Sequence, residues 1–363
     1  MTVKTLPSIP KTQKAIVATD AEGTLRLADD VPVIELEPDS VIVKTAALAL
    51  NPVDSKMMKG FAEPNHILGF DFAGTVVAVG SGARKDVKVG DRVLGSGDSM
   101  FRGRPSGGAF AEYASTIASL TVKLPDDMSF EEGACMGTSM TSAGMALFNC
   151  LKIPLPDPHN PTKPSEKAPF VLVSGGSTST GTMAIQMLRW CNYRVIVTCS
   201  PQHNDLVLSY GAEKAFDYRS PTAAQDIRAY TKNSLLYAFD CITTASTMKL
   251  CYEAIGRAGG RYAALDPYPE SGHTRRIVKP GWILASLVKG RGSSWAAPYG
   301  REPDAEALEF GENLLALAQQ KINAGQMKSH PARVSSGGFA GVLEGIEMIR
   351  RKEVSGFKLV YTV

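Results

Sequence analysis

The segment from Val171 to Leu188 constrains this chain more than any other. An apolar run, Val171-Leu172-Val173-Ser174, meets an elbow rich in glycine and hydroxyls, Gly175 to Gly181, and then an amphipathic stretch that ends at Leu188. A buried parallel strand turning sharply into a helix has this form: Gly176 permits the tight turn, and the amides at the start of the helix face an anionic group. It is the outline of a dinucleotide site. In the usual G-x-G-x-x-G spacing the middle glycine falls at Thr178, so a side chain stands where close approach is normal. The hydroxyls of Ser177, Thr178, Ser179 and Thr180 are expected to add phosphate contacts there.

Beyond the elbow the pattern alternates. Strand-like runs at Arg194-Val195-Ile196-Val197-Thr198, Tyr237 to Ile242 and Arg261 to Leu265 are separated by segments of helical period ending near Trp190, Tyr210 and Ile255. This predicts a doubly wound parallel sheet. The first third is different: Val41 to Leu50, Phe72 to Gly82 and Val87 to Leu94 read as short strands closed by glycine turns, which predicts a small irregular β-barrel. Ser129 and Glu132 form a capping box opening an apolar segment to Phe148. Gly137, Thr138 and Ser139 are expected to break that segment, leaving a second helix start near Thr141 and Ser142. A connector with prolines at 154, 156, 158, 161, 164 and 169 then marks a boundary or a surface insertion. The expected domains are residues 1–155 and 165–300, with two helices and a last strand in 301–363 rejoining the first.

The chain has 363 residues, 44% of them hydrophobic and 21% charged, enough for a full core. A net charge of +3, with no basic run carrying aromatics, offers no nucleic-acid groove. The six cysteines lie singly inside apolar stretches and read as reduced core residues. The stretch Met1 to Lys14 lacks an apolar signal core, and no apolar run is long enough for a bilayer, so a cytoplasmic, membrane-free protein is expected.

An ordered set of landmarks runs through the chain: Asn51-Pro52-Val53-Asp54, Gly69-Phe70-Asp71-Phe72-Ala73-Gly74, Val89-Gly90-Asp91-Arg92-Val93, Gly108 to Tyr113, the glycine elbow, Gly211 to Arg219 and Gly259-Gly260-Arg261. In that order they resemble the medium-chain dehydrogenase/reductase superfamily. The resemblance implies an α/β protein with a GroES-like irregular β-barrel catalytic domain and a doubly wound Rossmann domain. Asn51 to Lys56, Gly175 to Thr178, Thr198 to Pro201 and Trp295 to Gly300 look most like the trans-acting enoyl reductases of fungal highly reducing polyketide synthases, the lovastatin-type partners.

Zinc members of the superfamily hold a catalytic metal through Cys and His in the first two motifs. Here Asn51 and Phe70 stand at those positions, neither offers a replacement ligand, and no cysteine precedes Cys135 to build a structural zinc lobe. No metal is expected. Polarising a simple ketone is hard without a Lewis acid, whereas conjugate reduction of an enoyl thioester needs only a hydride at Cβ, hydrogen bonds to the developing enolate and a proton at Cα.

An NAD site has Asp or Glu after the second strand; this chain has Thr198-Cys199-Ser200-Pro201-Gln202-His203, which tolerates a 2′-phosphate. NADPH is therefore the expected cofactor, with Ser200, Pro201 and His203 near the phosphate and Tyr218 matching the family's adenosine-side tyrosine. The competing reading makes Ser200 a helix cap and Tyr218 an edge residue. The resemblance adds Asn51, Pro52, Val53, Asp54, Leu265, Val354 and Ser355 to the cofactor contacts, with Asn51 and Asp54 shaping the loop rather than exchanging protons.

Lys56 is the first candidate for chemistry, bonding the ribose or helping protonation; a solvated loop lysine is the plain alternative. Ser142, with Thr141, is the second, and helix capping is its alternative. Some zinc-free enoyl reductases use a tyrosine after the first motif, but Phe61 occupies that neighbourhood and the proton donor is unassigned. The resemblance implies an α,β-unsaturated polyketide acyl thioester on a carrier protein, with a highly reducing synthase or a synthase-peptide synthetase hybrid as partner. Its alkyl chain requires an apolar pocket, for which Thr141, Ser142, Met145 and Phe148 are candidates. Ile283, Leu284, Ala285, Ser286 and Leu287 form a second candidate wall, or else core or a dimer strand. The charged, glycine-rich Lys289 to Ser294 is a poor template for strand pairing, which favours a monomer. A zinc-free quinone or enone reductase acting on free molecules shares nearly every motif, and a non-catalytic NADPH-binding partner is the alternative from another class.

Overall fold

The computed structural model describes residues 9–56, 60–84, 86–156, 165 and 167–363. Most of the proline connector lies outside them. Two compact units result, one formed by residues up to Thr138 together with Ser286–Val363, the other by Ser139–Ala285.

The first unit is built on a bent seven-stranded sheet in which Ser40–Ala49 is shared. That strand pairs antiparallel with Asp71–Val79, with Tyr113–Ile117 and with Lys358–Thr362. Register shifts at Ile42/Val43 and Thr45/Ala47 allow one strand to serve so many neighbours, because each bulge turns it. Gly74 is required at the crossing: a Cβ there would stand 2.0 Å from the Lys44 carbonyl oxygen. A separate hairpin, Thr12–Ala18 with Leu25–Pro32, buries Ala15, Val17, Ala28 and Val31 against Ile67 and Ala111. The tail rejoins this unit as expected, through helices Ala305–Asn323 and Gly338–Arg350 and the strand Lys358–Thr362. A further strand, Ala332–Ser335, pairs parallel to the last one.

The second unit is a six-stranded parallel sheet. Its order in space is Lys214–Asp217, Arg194–Cys199, Phe170–Ser174, Tyr237–Asp240, Gly260–Ala264 and Val278–Trp282. This is the doubly wound order, with its switch point between Phe170–Ser174 and Tyr237–Asp240. Leu172, Ile196, Ile227, Met248, Tyr252 and Tyr262 form much of one face of its core.

Three sequence expectations are corrected. The Ser129–Glu132 capping box is present on Phe130–Ala134, but the next helix starts at Gly137, placing Thr141 and Ser142 in its middle rather than at its start. The cause is Asp71, whose Oδ1 accepts from both the backbone N–H and the hydroxyl of Thr138, each at 2.7 Å, and so caps the helix early. The units divide at Ser139 and Ser286, not near 155 and 301. The π-helical turn Met145–Cys150 packs on the strands Gly260–Ala264 and Val278–Trp282 of the second unit. The segment from Ser286 is bonded to the first, with Lys289 Nζ donating to Asp98 Oδ1 at 2.5 Å and Trp295 Nε1 to the Met100 carbonyl at 3.3 Å. Lys289 is accordingly buried, and the sheet edge is Val278–Trp282, which carries Pro280. No helix among the described residues is long and apolar enough to cross a membrane.

Candidate active site

The glycine elbow is present, but its turn is made at Gly175 rather than at the expected Gly176, which is instead packed against Val197. Gly175 takes a φ of +79°, and the N–H groups of Gly175 and Gly176 both donate to the Thr198 carbonyl at 3.0 Å. A Cβ on Gly176 would lie 2.7 Å from Val197, and one on Gly181 would lie 2.5 Å from the Gly175 carbonyl, so both positions exclude side chains. Thr178 is the N-cap of helix Ser179–Trp190: its Oγ1 accepts from Gly181 N–H at 3.0 Å and donates to the Gly175 carbonyl at 2.8 Å. Its hydroxyl thus tightens the elbow that a glycine would have left open. Ser179 Oγ meets Ser139 Oγ at 2.6 Å, a residue named from sequence only as part of a helix break and not as a site residue. Ser177 and Thr180 are half-buried beside them. A helix N-terminus with this cradle is suited to a pyrophosphate.

At the end of the neighbouring strand, Ser200 starts the short helical turn Pro201–His203 but makes no side-chain capping bond. Its Oγ instead accepts from Arg219 Nη2 at 2.7 Å, and Arg219 Nε reaches the Tyr218 hydroxyl at 3.3 Å. The guanidinium lies over the Tyr218 ring, 5.2 Å from its centre. The Arg219 and Ser200 hydrogen bonds hold the Tyr218 hydroxyl below the usual tyrosine range. His203, on the same turn, bonds the adjacent Gln202 at 3.3 Å. Arg219 was not singled out from sequence, although it directly follows Tyr218; a cation after the strand neighbouring the one where an NAD site carries its acid was the available signal. These residues fit a 2′-phosphate, since a guanidinium and a hydroxyl both donate to phosphate oxygens.

The first unit holds a second polar cluster. The one-turn helix Pro52–Lys56 follows Asn51, whose backbone N–H donates to Asp54 Oδ2 at 2.6 Å and whose amide Nδ2 donates to Asp71 Oδ2 at 2.9 Å. Lys358 Nζ donates to the same Asp71 oxygen at 2.5 Å. Asp54 and Asp71 are wholly buried, and Asp54 Oδ1 has no hydrogen-bond partner. Burial pushes the Asp54 carboxyl up to about 8, with Asp71 adding to the rise and Asn51 N–H and Lys358 opposing it. Asn51 and Asp54 therefore face the interior and set the loop, while Pro52 and Lys56 are exposed and Val53 half-buried. Zinc does not fit this cluster. The Asn51 amide is committed to Asp71, Phe70 has no lone pair to give, and the described residues contain no group of three or more His, Cys, Asp or Glu able to hold a metal.

The remaining sequence candidates fall in both units. Thr141, Ser142, Met145 and Phe148 are nearly buried on the helix from Gly137 and the π-helical turn that continues it, an irregularity common at functional sites. Ile283 is buried just after the edge strand, Leu284 and Ala285 are half-buried, and Leu265 follows the strand Gly260–Ala264. In the first unit lie Ser286 and Leu287, Val354 and Ser355, and Lys56. Ser286 lines a small cavity with Phe70, Lys289 and Trp295, and its Oγ is buried without a partner. Phe61 packs edge-on against Trp295 and Tyr299, at 5.7 and 5.1 Å between ring centres.

A GroES-like β unit and a doubly wound unit with a glycine elbow in one chain define a medium-chain dehydrogenase/reductase. Residues 37–126 match the alcohol dehydrogenase GroES-like domain family and residues 179–275 the zinc-binding dehydrogenase family. The chain is 52% identical to the trans-enoyl reductase buaC of Petromyces alliaceus over 97% of its length and 98% of that protein's. It is 44% identical to lovC of Aspergillus terreus, the enoyl reductase component of lovastatin nonaketide synthase, over 98% and 97% of the two chains. A solved zinc-dependent alcohol dehydrogenase homologue from Rhizobium etli shares the fold, with a TM-score of 0.80 at 21% identity over 97% of this chain and 98% of the other. The chain belongs to the trans-enoyl reductase family and is an oxidoreductase that uses a nicotinamide cofactor.

Proposed function

We propose that this enzyme uses NADPH to reduce the α,β double bond of a polyketide enoyl thioester carried on an acyl carrier protein, acting in trans on a highly reducing synthase. The observation that carries the reading is the Asn51–Asp71–Lys358 cluster: at the positions where the resemblance puts the Cys and His of zinc relatives this chain has Asn51 and Phe70, and the adjoining Asp71 carboxylate is taken up by Asn51, Thr138 and Lys358. Such a site lacks a strong polariser and is suited to an acceptor already activated by conjugation. NADPH, when bound, supplies a hydride to Cβ. Arg219, Ser200 and Tyr218 would hold its 2′-phosphate, and the elbow from Gly175 to Gly181, with Ser177 and Thr180, its pyrophosphate. Lys56 is the candidate to bond the cofactor ribose or to help pass a proton toward Cα, and Ser142 is the second catalytic candidate. Met145, Phe148 and Ile283, apolar residues of the second unit, are the candidates to meet an alkyl chain.

The chain is proposed to work as a monomer. One edge of the six-stranded sheet is a strand of only four residues, Lys214–Asp217; the other is Val278–Trp282, where Pro280 removes a donor. Neither is a good template for pairing with a second copy. Oxidation of NADPH with enoyl thioesters on pantetheine or on a carrier protein, compared with free enones and quinones, tests the substrate class. Faster turnover of free enones than of thioesters would replace this reading with a small-molecule enone reductase.

A further inference from the structure

At the switch point of the parallel sheet, Thr243 has a φ of +57°. A β-branched residue in the left-handed region is an outlier, and such backbone strain persists only where the surroundings enforce it. Asp240, wholly buried at the end of Tyr237–Asp240, does the enforcing. Its Oδ1 accepts from the N–H groups of Ile242 at 3.0 Å and Thr243 at 3.1 Å, and its Oδ2 from the Thr247 hydroxyl at 2.7 Å and the Tyr262 hydroxyl at 2.9 Å. A glycine would take this conformation without strain. The threonine hydroxyl, however, donates to the Asp240 carbonyl at 3.3 Å and accepts the backbone N–H of Leu265 at 3.1 Å. It thereby ties the loop after one strand to the loop after the next. Ile242, 44% exposed, leans over the elbow, its Cγ1 2.8 Å from where a Cβ on Gly175 would stand.

The sheet order gives this tie a direction. Ser200 and Arg219 follow the strands on one side of the elbow, and Thr243 and Leu265 follow the strands on the other. A dinucleotide whose pyrophosphate rests on the elbow and whose adenosine lies toward Arg219 extends its other half toward Thr243 and Leu265. We infer that Thr243 is a positioning residue for the nicotinamide half of the cofactor, acting through the Leu265 backbone held by its hydroxyl and through the turn that presents Ile242. The inference rests on the cofactor reading above.

The test compares Thr243→Gly and Thr243→Ser with the wild type, measuring dissociation constants for NADPH and for adenosine 2′,5′-bisphosphate, together with the melting temperature. Thr243→Gly is expected to weaken NADPH about tenfold, leave the bisphosphate constant unchanged and melt no lower than wild type. Thr243→Ser, which keeps the hydroxyl, is expected to bind NADPH as wild type does. Undiminished NADPH binding by Thr243→Gly, or parallel loss of both ligands with a lower melting temperature, would overturn the positioning role. A wild type that binds no NADPH would overturn the cofactor reading itself, and this inference with it.

Discussion

Lys358 Nζ lies 2.5 Å from Asp71 Oδ2, joining the last strand of the chain to the strand Asp71–Val79 in an ion pair with both partners buried. Asp71 also receives the Asn51 amide and both donors of Thr138, so one carboxylate fixes the Asn51 loop, the start of a helix and the returning C-terminal strand. Breaking a buried pair from one side leaves an uncompensated charge. Lys358→Met is expected to cost about 3–5 kcal/mol of unfolding free energy in urea. The double change Asp71→Asn with Lys358→Met should cost less than Lys358→Met alone. Additive losses would mean that the two residues do not depend on each other.

Asp54 makes stability depend on pH. Its carboxyl lies at about 8 in the fold against an ordinary 3.8, chiefly because it is buried. The folded state therefore holds a proton that the unfolded chain releases, and this contribution is full below the unfolded value, declines as pH rises from about 4, and is gone above about 8. The difference in melting temperature between wild type and Asp54→Asn should fall steadily over that window and level off beyond it. A difference independent of pH would contradict the assignment.

Arg219 should decide between the two nicotinamide coenzymes. Arg219→Gln is expected to raise the NADPH dissociation constant about tenfold or more, because a charged donor to phosphate is lost, and to leave NADH binding unchanged. Titrations of both coenzymes read this directly. Equal weakening of both would place Arg219 elsewhere in the site.

Lys56→Ala should lower kcat by at least roughly tenfold if the ammonium assists protonation. If it only bonds the ribose, KM for NADPH should rise while kcat holds. Steady-state kinetics separates these roles, and a variant unchanged in both would remove Lys56 from the mechanism.

What the sequence made legible was local. Alternating apolar runs, the glycine-rich elbow and the Ser129–Glu132 capping box each act within a few residues, and the parallel sheet, the elbow and the capped helix follow from them, although the residue that makes the turn is Gly175 rather than Gly176. Contacts between distant residues were hidden. Lys358 reads as an ordinary strand residue until the fold brings it to Asp71, and the helix starts at Gly137 because that same remote carboxylate caps it. The hairpin Thr12–Pro32 was missed because its second strand, Leu25–Pro32, is largely exposed and carries two aspartates. Thr243 was invisible for another reason: strain enforced by a buried aspartate leaves no pattern in residue types.

The most direct measurement is NADPH oxidation in the presence of a crotonyl or longer enoyl thioester on pantetheine or on a carrier protein, with product analysis for saturation of the α,β bond. The account predicts turnover of the thioester, stoichiometric NADPH consumption and a clear preference over NADH. NADPH binding with no reduction of any enoyl thioester would contradict it and leave a protein that binds the coenzyme without using it on this substrate.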